Sequence, residues 1–363
     1  MSGLDCHFAE LPDPRAGNSS HHLGDIVVMM IAASLCGASN ATEYSLFAET
    51  RKPLLNRLIR YDRAPSHDTF SRVLRLLDPE AFLCIFAAFA AAFHQAMRSF
   101  RARAGAAPEV IAVDGKSLRR AYETGQAASP PMMVSAFAAE CRLCLGAGMA
   151  MPHDNEGEAA LKVVELLDLT GRIVTADALH CTRRMAQTIR GRGGDYVLAL
   201  KGNRREWLKQ AKQLFDTTPA RIAEVTRTGH GRAEWHRSEV VAAPAPLMDG
   251  HKAFARITSA RGNGKPVIRY FMASQSLEPD EMLAIIRSHW SIENNLHWVL
   301  DVHMREDHNR ARKDNAPANT AIINRIARNI LQIIDKPKTP ISHRIKKCAW
   351  NEEYLINAIS HMR

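Results

Sequence analysis

Hydrophobic positions in the first third of the chain recur at helical spacing. Ile26, Met29, Met30, Ala33 and Leu35 form one stripe, and an alanine-rich run from Phe82 to Phe93 forms another. Between them, Pro65-Ser66-His67-Asp68-Thr69-Phe70 reads as a turn and helix start, with Ser66 or Asp68 capping the helix of Phe70, Val73, Leu74 and Leu76. The span from Leu23 to Met97 is therefore predicted helical, as either a helix-turn-helix variant that binds DNA or a packing and dimerisation domain. After an Arg- and Ala-rich joint at Arg101 to Pro108, the period changes to that of strands. Val110 to Val113 is the first strand, and Met132 to Ala138 with Arg142 to Met149 form a hairpin around Ala139-Glu140. A helix capped by Asn155 follows, carrying Leu161, Val164, Leu167 and Leu169 and ending near Gly171. Strand Ile173 to Ala176, a helix from Thr182 to Arg190, strand Tyr196 to Leu200 and a helix from near Asn203 complete a βββαβαβ order. That order is the plan of an α/β, ribonuclease H-like fold. The β-like runs Trp235 to Ala242, Ala253 to Thr258 and Val267 to Ala273 are separated by turns such as Arg261-Gly262-Asn263-Gly264, so Arg221 to Ser274 reads as an inserted β-rich module. A last long helix begins near Glu278-Pro279-Asp280-Glu281, and the chain beyond Asn309 is helical and basic. The expected division is a helical domain over 1–105, a catalytic domain over 106–335 with its insertion at about 221–274, and a basic helical tail over 336–363.

Composition changes little in this picture: 363 residues, 46% apolar and 24% charged, are ordinary for globular domains. The net charge of +10 points to a polyanionic partner, although by itself it also fits an acidic membrane surface or a plain soluble protein. The seven cysteines are odd in number and scattered with no secretory signal ahead of them, which suits a reducing cytoplasm. Cys141-Arg142-Leu143-Cys144 lacks a second pair and lies in an apolar run, so it reads as strand and not as a zinc knuckle. Ile26 to Cys36 and Ala81 to Phe93 fall short of the roughly 20 residues that span a bilayer, and no membrane association is expected.

Three acids carry the chemistry. Asp114 and Asp177 each end an apolar strand, and Glu293 falls in the last long helix. Such a set can converge on a pair of Mg²⁺ ions that hold a phosphodiester and activate a water or a 3′-hydroxyl. At helical spacing Ile286, His289, Glu293, His297 and Leu300 share one face, so His289 and His297 with Glu293 form a possible zinc triad. An oxygen-only site accounts for all three acids, whereas zinc leaves both aspartates unused. Gly115-Lys116 follows the first aspartate and Lys201-Gly202-Asn203 closes the neighbouring strand, each lysine being either a phosphate contact or a solvated strand end. Arg305, Arg310, Arg312, Lys313, Arg325 and Arg328 are candidates for neutralising a DNA backbone.

At these residues the chain resembles the DDE insertion-sequence transposases, in particular the bacterial H-repeat-associated group. The matching segments are Leu11-Pro12-Asp13-Pro14-Arg15, Pro65 to Phe70, Val113-Asp114-Gly115-Lys116, Thr175-Ala176-Asp177-Ala178-Leu179-His180, Asp195 to Asn203 and the block Arg287 to Asp307. The resemblance implies a ribonuclease H-like domain with a β insertion before the glutamate helix, and Mg²⁺ or Mn²⁺, two ions, held by Asp114, Asp177 and Glu293. Lys116, Lys201, His289, His297 and Arg310 are then the expected substrate-binding residues. The implied activity is cleavage of element ends followed by joining of the 3′-hydroxyl to target DNA. Its partners are terminal inverted repeats, target DNA and a second or further copy of the chain, in a bacterial cytoplasm at the nucleoid. Relatives carry Tyr, Arg and Lys where this chain has Ile286, His289 and Leu300, so a hairpin intermediate is not carried over. His289 would then be a weaker phosphate grip or a proton donor to the leaving oxygen. The alternatives are an inactive, DNA-binding remnant and a host metal-dependent nuclease; inverted repeats flanking the gene separate the latter from a transposase.

Overall fold

Three parallel strands organise the molecule: β1 (Glu109–Ser117), β4 (Arg172–Ala176) and β5 (Asp195–Leu200) lie side by side, with β1 next to β4 and β4 next to β5. The computed structural model describes residues 8, 10–15, 17, 19–102, 108–121, 130–150, 155–229, 232–262, 264–336 and 338–360. Cys6, Asn263 and residues 103–107 of the expected joint lie outside them. The hairpin β2 (Met132–Ala138) and β3 (Leu143–Ala150) adds antiparallel to β1, turning at Arg142 in the left-handed region (φ 56°). Uninterrupted apolar runs make these central strands because both faces are covered.

The stretch expected as an inserted module is not separate from this sheet. Its strands β6 (Arg221–Gly229), β7 (Arg232–Ala242), β8 (Ala253–Arg261) and β9 (Val267–Ala273) continue it into nine strands, in the order β3-β2-β1-β4-β5-β9-β8-β7-β6. β9 pairs antiparallel with β5, Val197 opposite Ala273 and Leu200 opposite Tyr270, and so closes an edge that would otherwise present unpaired backbone groups. The sequence reading missed β6, an outermost strand largely open to water whose alternation is confined to Ala223 and Val225.

Helices cover both faces. Glu156–Glu165, Arg183–Gly191 and Arg205–Thr217 pack on one, burying Val163, Val164, Met185, Ile189 and Phe215. Asn155 caps the first through its side chain, as expected, though that helix stops at Glu165 and not near Gly171. On the other face lie Pro279–His289 and the amino-terminal helices Leu23–Leu35, Ala41–Thr50, Lys52–Leu55, His67–Leu76 and Pro79–Ala102. Leu23–Leu35 is buried almost all round and packs against Ala316–Ile333. Ser66, not Asp68, is the cap of His67–Leu76, accepting from the Thr69 N–H. Contrary to expectation, Pro79–Met97 is long and apolar enough to cross a membrane (mean hydropathy 1.5), but its Phe82, Phe86, Phe89 and Ala90 belong to the core.

The last helices, Ile341–Trp350 and Glu352–Ser360, are packed elements and not a trailing tail: Cys348, Leu355, Ala358 and Ile359 join the same core. Arg344, 1% exposed, donates to the Leu331, Gln332, Lys336 and Thr339 carbonyls and so finishes the preceding helix. Arg325 and Arg328, expected on a DNA-facing surface, are 0% and 1% exposed. Arg325 pairs with Glu306 at 3.1 Å, and Arg328 donates to the carbonyls of Arg142 and Asn295. Both sit in Ala316–Ile333, a helix buried almost all round, where a guanidinium needs partners for most of its donors.

Candidate active site

The parallel ladder between β1 and β4 ends at Val113 opposite Ala176, so Asp114 and Asp177 are the next residues on two adjacent strands. β1 itself runs on to Ser117, pairing Asp114 with Ser135 of β2 only. Asp177 leaves β4 and starts the short 3-10 turn Ala178–His180, and Lys201 follows the end of β5. The carboxyl ends of parallel strands thus deliver three charged side chains to one edge.

Glu293 comes from the helical segment above, but not in the geometry expected. Pro279–His289, begun by a Glu278/Glu281 capping box, is followed at Glu293–His297 by a π turn in which the Trp298 N–H donates to the Glu293 carbonyl, and then by Trp298–Val302. One extra residue per turn breaks the straight stripe. Ile286, Ile292, Leu296 and Leu300 are buried, while Glu293 faces out and lines a cavity of about 590 Å³. Asp114, Asp177, Lys201, His289 and Trp290 line it too.

The two aspartates of this cavity differ in how firmly they hold a charge. Burial, with Glu293, Asp177 and Glu156 nearby, pushes the Asp114 carboxyl up to about 6. Burial also acts upward on Asp177, but the Lys201 ammonium, 3.0 Å from Oδ1, holds it below the usual carboxylate range. Carboxylates that repel one another and offer only oxygen fit a hard divalent ion. Burial drives His289 towards neutrality against the pull of Asp177 and of Thr175, whose Oγ1 lies 3.0 Å from Nδ1, and so disfavours the charged phosphate grip anticipated for it. His297, expected to bind substrate, does not line the cavity; its Nδ1 lies 3.6 Å from Asp114 Oδ2. Burial, then Arg325 and Lys116, push its pKa down to about 3.

Lys116 does not line the cavity. Its ammonium is enclosed by Asp301 at 2.6 Å, Asp307 at 2.9 Å and Glu306 at 3.4 Å, and 7% of the side chain is exposed. The expected phosphate contact is therefore occupied within the fold. Arg310 is exposed on a separate groove with Arg312, Lys313, Asn40 and His67.

Lys212, Arg269 and Trp290 are among the cavity residues that the sequence reading did not single out. Arg269 lies over the Trp290 ring at 5.6 Å, and its strand β9 reaches the cavity only because it pairs with β5. No spacing along the chain announces that pairing. Also unforeseen is a buried group at the other end of β1, His94, Glu109 and Cys141, whose donor atoms lie within 4.8 Å of one another. Arg172, 3.5 Å from Glu109, already supplies a positive charge there.

Residues 105–330 match the family model described as the transposase DDE domain, and residues 6–90 match the DDE_Tnp_1-associated model. The chain is 30% identical to YbfL of Escherichia coli K12 over 98% of this chain and 97% of that one. It is 29% identical to the H repeat-associated YhhI of the same strain, with the same coverage of each. The cryo-EM structure of the piggyBac transposase synaptic complex with hairpin DNA aligns over 98% of this chain and 77% of that chain, at a TM-score of 0.44 and 10% identity.

Proposed function

The chain belongs to the DDE transposase family, in its H repeat-associated group, and from that premise we propose that it cleaves the ends of an insertion sequence and joins the freed 3′-hydroxyl to target DNA. The observation that carries the reading is the meeting of Asp114, Asp177 and Glu293 at one cavity, from two adjacent strands and a helix far along the chain. The order β3-β2-β1-β4-β5, with helices on both faces, supports a ribonuclease H-like core for that domain.

In this reading the three carboxylates hold two divalent ions, Mg²⁺ or Mn²⁺. When bound, these would polarise the phosphodiester and lower the pKa of the attacking water or hydroxyl. Lys201, Lys212 and Arg269 offer positive charge to the phosphates around the scissile bond, with Arg269 steadied on Trp290. His289 is fixed by Thr175 at Nδ1, which leaves Nε2 to hydrogen-bond the leaving oxygen and steady its developing charge. Arg310 and Lys313, exposed and without side-chain hydrogen bonds or ion pairs among the described residues, contact the DNA backbone farther out. Two element ends are processed together, so the working form is a dimer or larger.

Asp114→Asn, Asp177→Asn and Glu293→Gln test the reading on DNA carrying the element's own ends. Each is expected to abolish Mg²⁺-dependent cleavage while end binding in a gel shift stays within a few-fold. A variant that cuts near the wild-type rate removes its residue from the cation site. Firm binding by the unaltered protein without cutting under Mg²⁺ or Mn²⁺ identifies an inactive copy.

A further inference from the structure

Glu156 opens the helix Glu156–Glu165, directly after its cap Asn155, whose side chain accepts from the Gly157 N–H. An acid in a first turn gains from the helix dipole while pointing into solvent. Glu156 is turned against the sheet instead. Its Oε1 lies 2.5 Å from the point that a Cβ on Gly115 would occupy, with Met132 Sδ 2.6 Å from the same point. Gly115 is not in the left-handed region, so it is the missing side chain, and not backbone freedom, that the position uses.

The other neighbour of Glu156 is His180, whose Nε2 lies 3.5 Å from the same Oε1. That imidazole is 1% exposed, and its Nδ1 makes no hydrogen bond. Gly115 follows Asp114, and His180 closes the turn that Asp177 begins. Glu156 is therefore wedged between the two aspartate-bearing segments. Three carboxylates, those of Asp114, Asp177 and Glu293, already meet at the neighbouring cavity. Gathering a further like charge at this edge destabilises the fold unless a cation binds there.

We propose that Glu156 is a fourth carboxylate of the cation site, binding a divalent ion together with Asp114, and that residue 115 is glycine to admit it. This rests on the reading of Asp114 as a cation-holding residue.

Mn²⁺ binding by the full chain without DNA, followed by electron paramagnetic resonance of the free ion, tests it beside thermal melting in chelator. Glu156→Gln should weaken Mn²⁺ affinity about tenfold or more, in the range found when groups supporting metal ligands are removed. Its melting temperature in chelator should hold or rise, because a repulsive charge is lost, and its gain in melting temperature on adding Mn²⁺ should shrink. Glu156→Asp, which keeps the charge but shortens the reach, should also bind more weakly, and it decides the matter should the glutamine variant fold poorly. Gly115→Ala should weaken binding in the wild-type background and have little further effect on Glu156→Gln, because both changes act through one contact. Wild-type affinity in Glu156→Gln and Glu156→Asp, or a lower melting temperature in chelator with affinity intact, overturns the proposal and makes Glu156 a structural helix-start residue. Asp114→Asn is the control. If it loses Mn²⁺ and the Glu156 variants do not, this inference alone fails; if it too binds as wild type, the cation-site reading fails with it.

Discussion

Lys201 holds Asp177 across the carboxyl ends of two neighbouring strands, its ammonium 3.0 Å from one carboxylate oxygen and 3.4 Å from the other. Before any metal arrives, the lysine is thus that aspartate's counter-ion. Lys201→Met should raise the Asp177 pKa towards the ordinary range and leave Mn²⁺ binding without DNA as strong as before or stronger, since a competing cation is gone. Cleavage should nevertheless fall roughly ten- to a hundredfold, through loss of a phosphate contact. Titration of Mn²⁺ beside single-turnover cleavage checks both. Unchanged values in the two assays would reduce Lys201 to a solvated strand end.

Asp114 makes the metal-free fold sensitive to pH in a definite direction. Its pKa is pushed up to about 6 from 3.8 by burial and by its acidic neighbours, so the folded state prefers the protonated form. The stability this group contributes is complete below about pH 4 and is lost as the pH rises through about 6. In chelator, Asp114→Asn should therefore be more stable than wild type at pH 8, by on the order of 2–3 kcal/mol. The difference should shrink steadily between pH 7 and 4. Denaturant melts across that range check it, and a less stable variant at pH 8 would show that burial does not penalise the charge.

The basic residues after the glutamate helix divide into two kinds. Arg325 is buried against Glu306, so Arg325→Met should cost about 1–3 kcal/mol by leaving buried acceptors short of a donor, while Lys116, 3.4 Å away, still pairs with Glu306. Arg310→Ala and Lys313→Ala should leave the melting temperature unchanged. Each should lower the slope of log affinity for DNA against log salt by up to about 1. Melting curves and binding isotherms at several salt concentrations separate the two classes, and a stable Arg325→Met with a reduced salt slope would reverse the assignment.

His289 is predicted to act as a neutral imidazole seated by Thr175. His289→Ala should slow single-turnover cleavage by roughly ten- to a thousandfold without a matching loss of DNA binding. Thr175→Val removes only the hydroxyl that orients the ring and should give a smaller defect in the same step. An alanine variant that melts and cuts normally takes His289 out of the site; one that loses stability and rate together makes it a packing residue.

The local rules were enough to read much of this protein from its sequence. Apolar runs of four or five residues ended by Asp114 and Asp177 specify buried parallel strands, because a run that short and unbroken is too brief for a buried helix and suits a strand covered on both faces. The Asn155 and Ser66 caps are legible for the same reason, since the bond that makes a cap spans two or three residues. What the sequence left undetermined depends on contacts between distant segments. The pairing of β9 with β5, which brings Arg269 to the cavity, leaves no mark in the spacing of either strand. The π turn at Glu293 appears in the sequence as ordinary helix, because the buried Ile292, Leu296 and Leu300 keep the four-residue spacing of an α-helical face. Lys116 and Arg325 look like surface cations, and only packing reveals the acids that enclose them. A charged side chain's role is set by which opposite charge reaches it first, and chain order does not encode that distance.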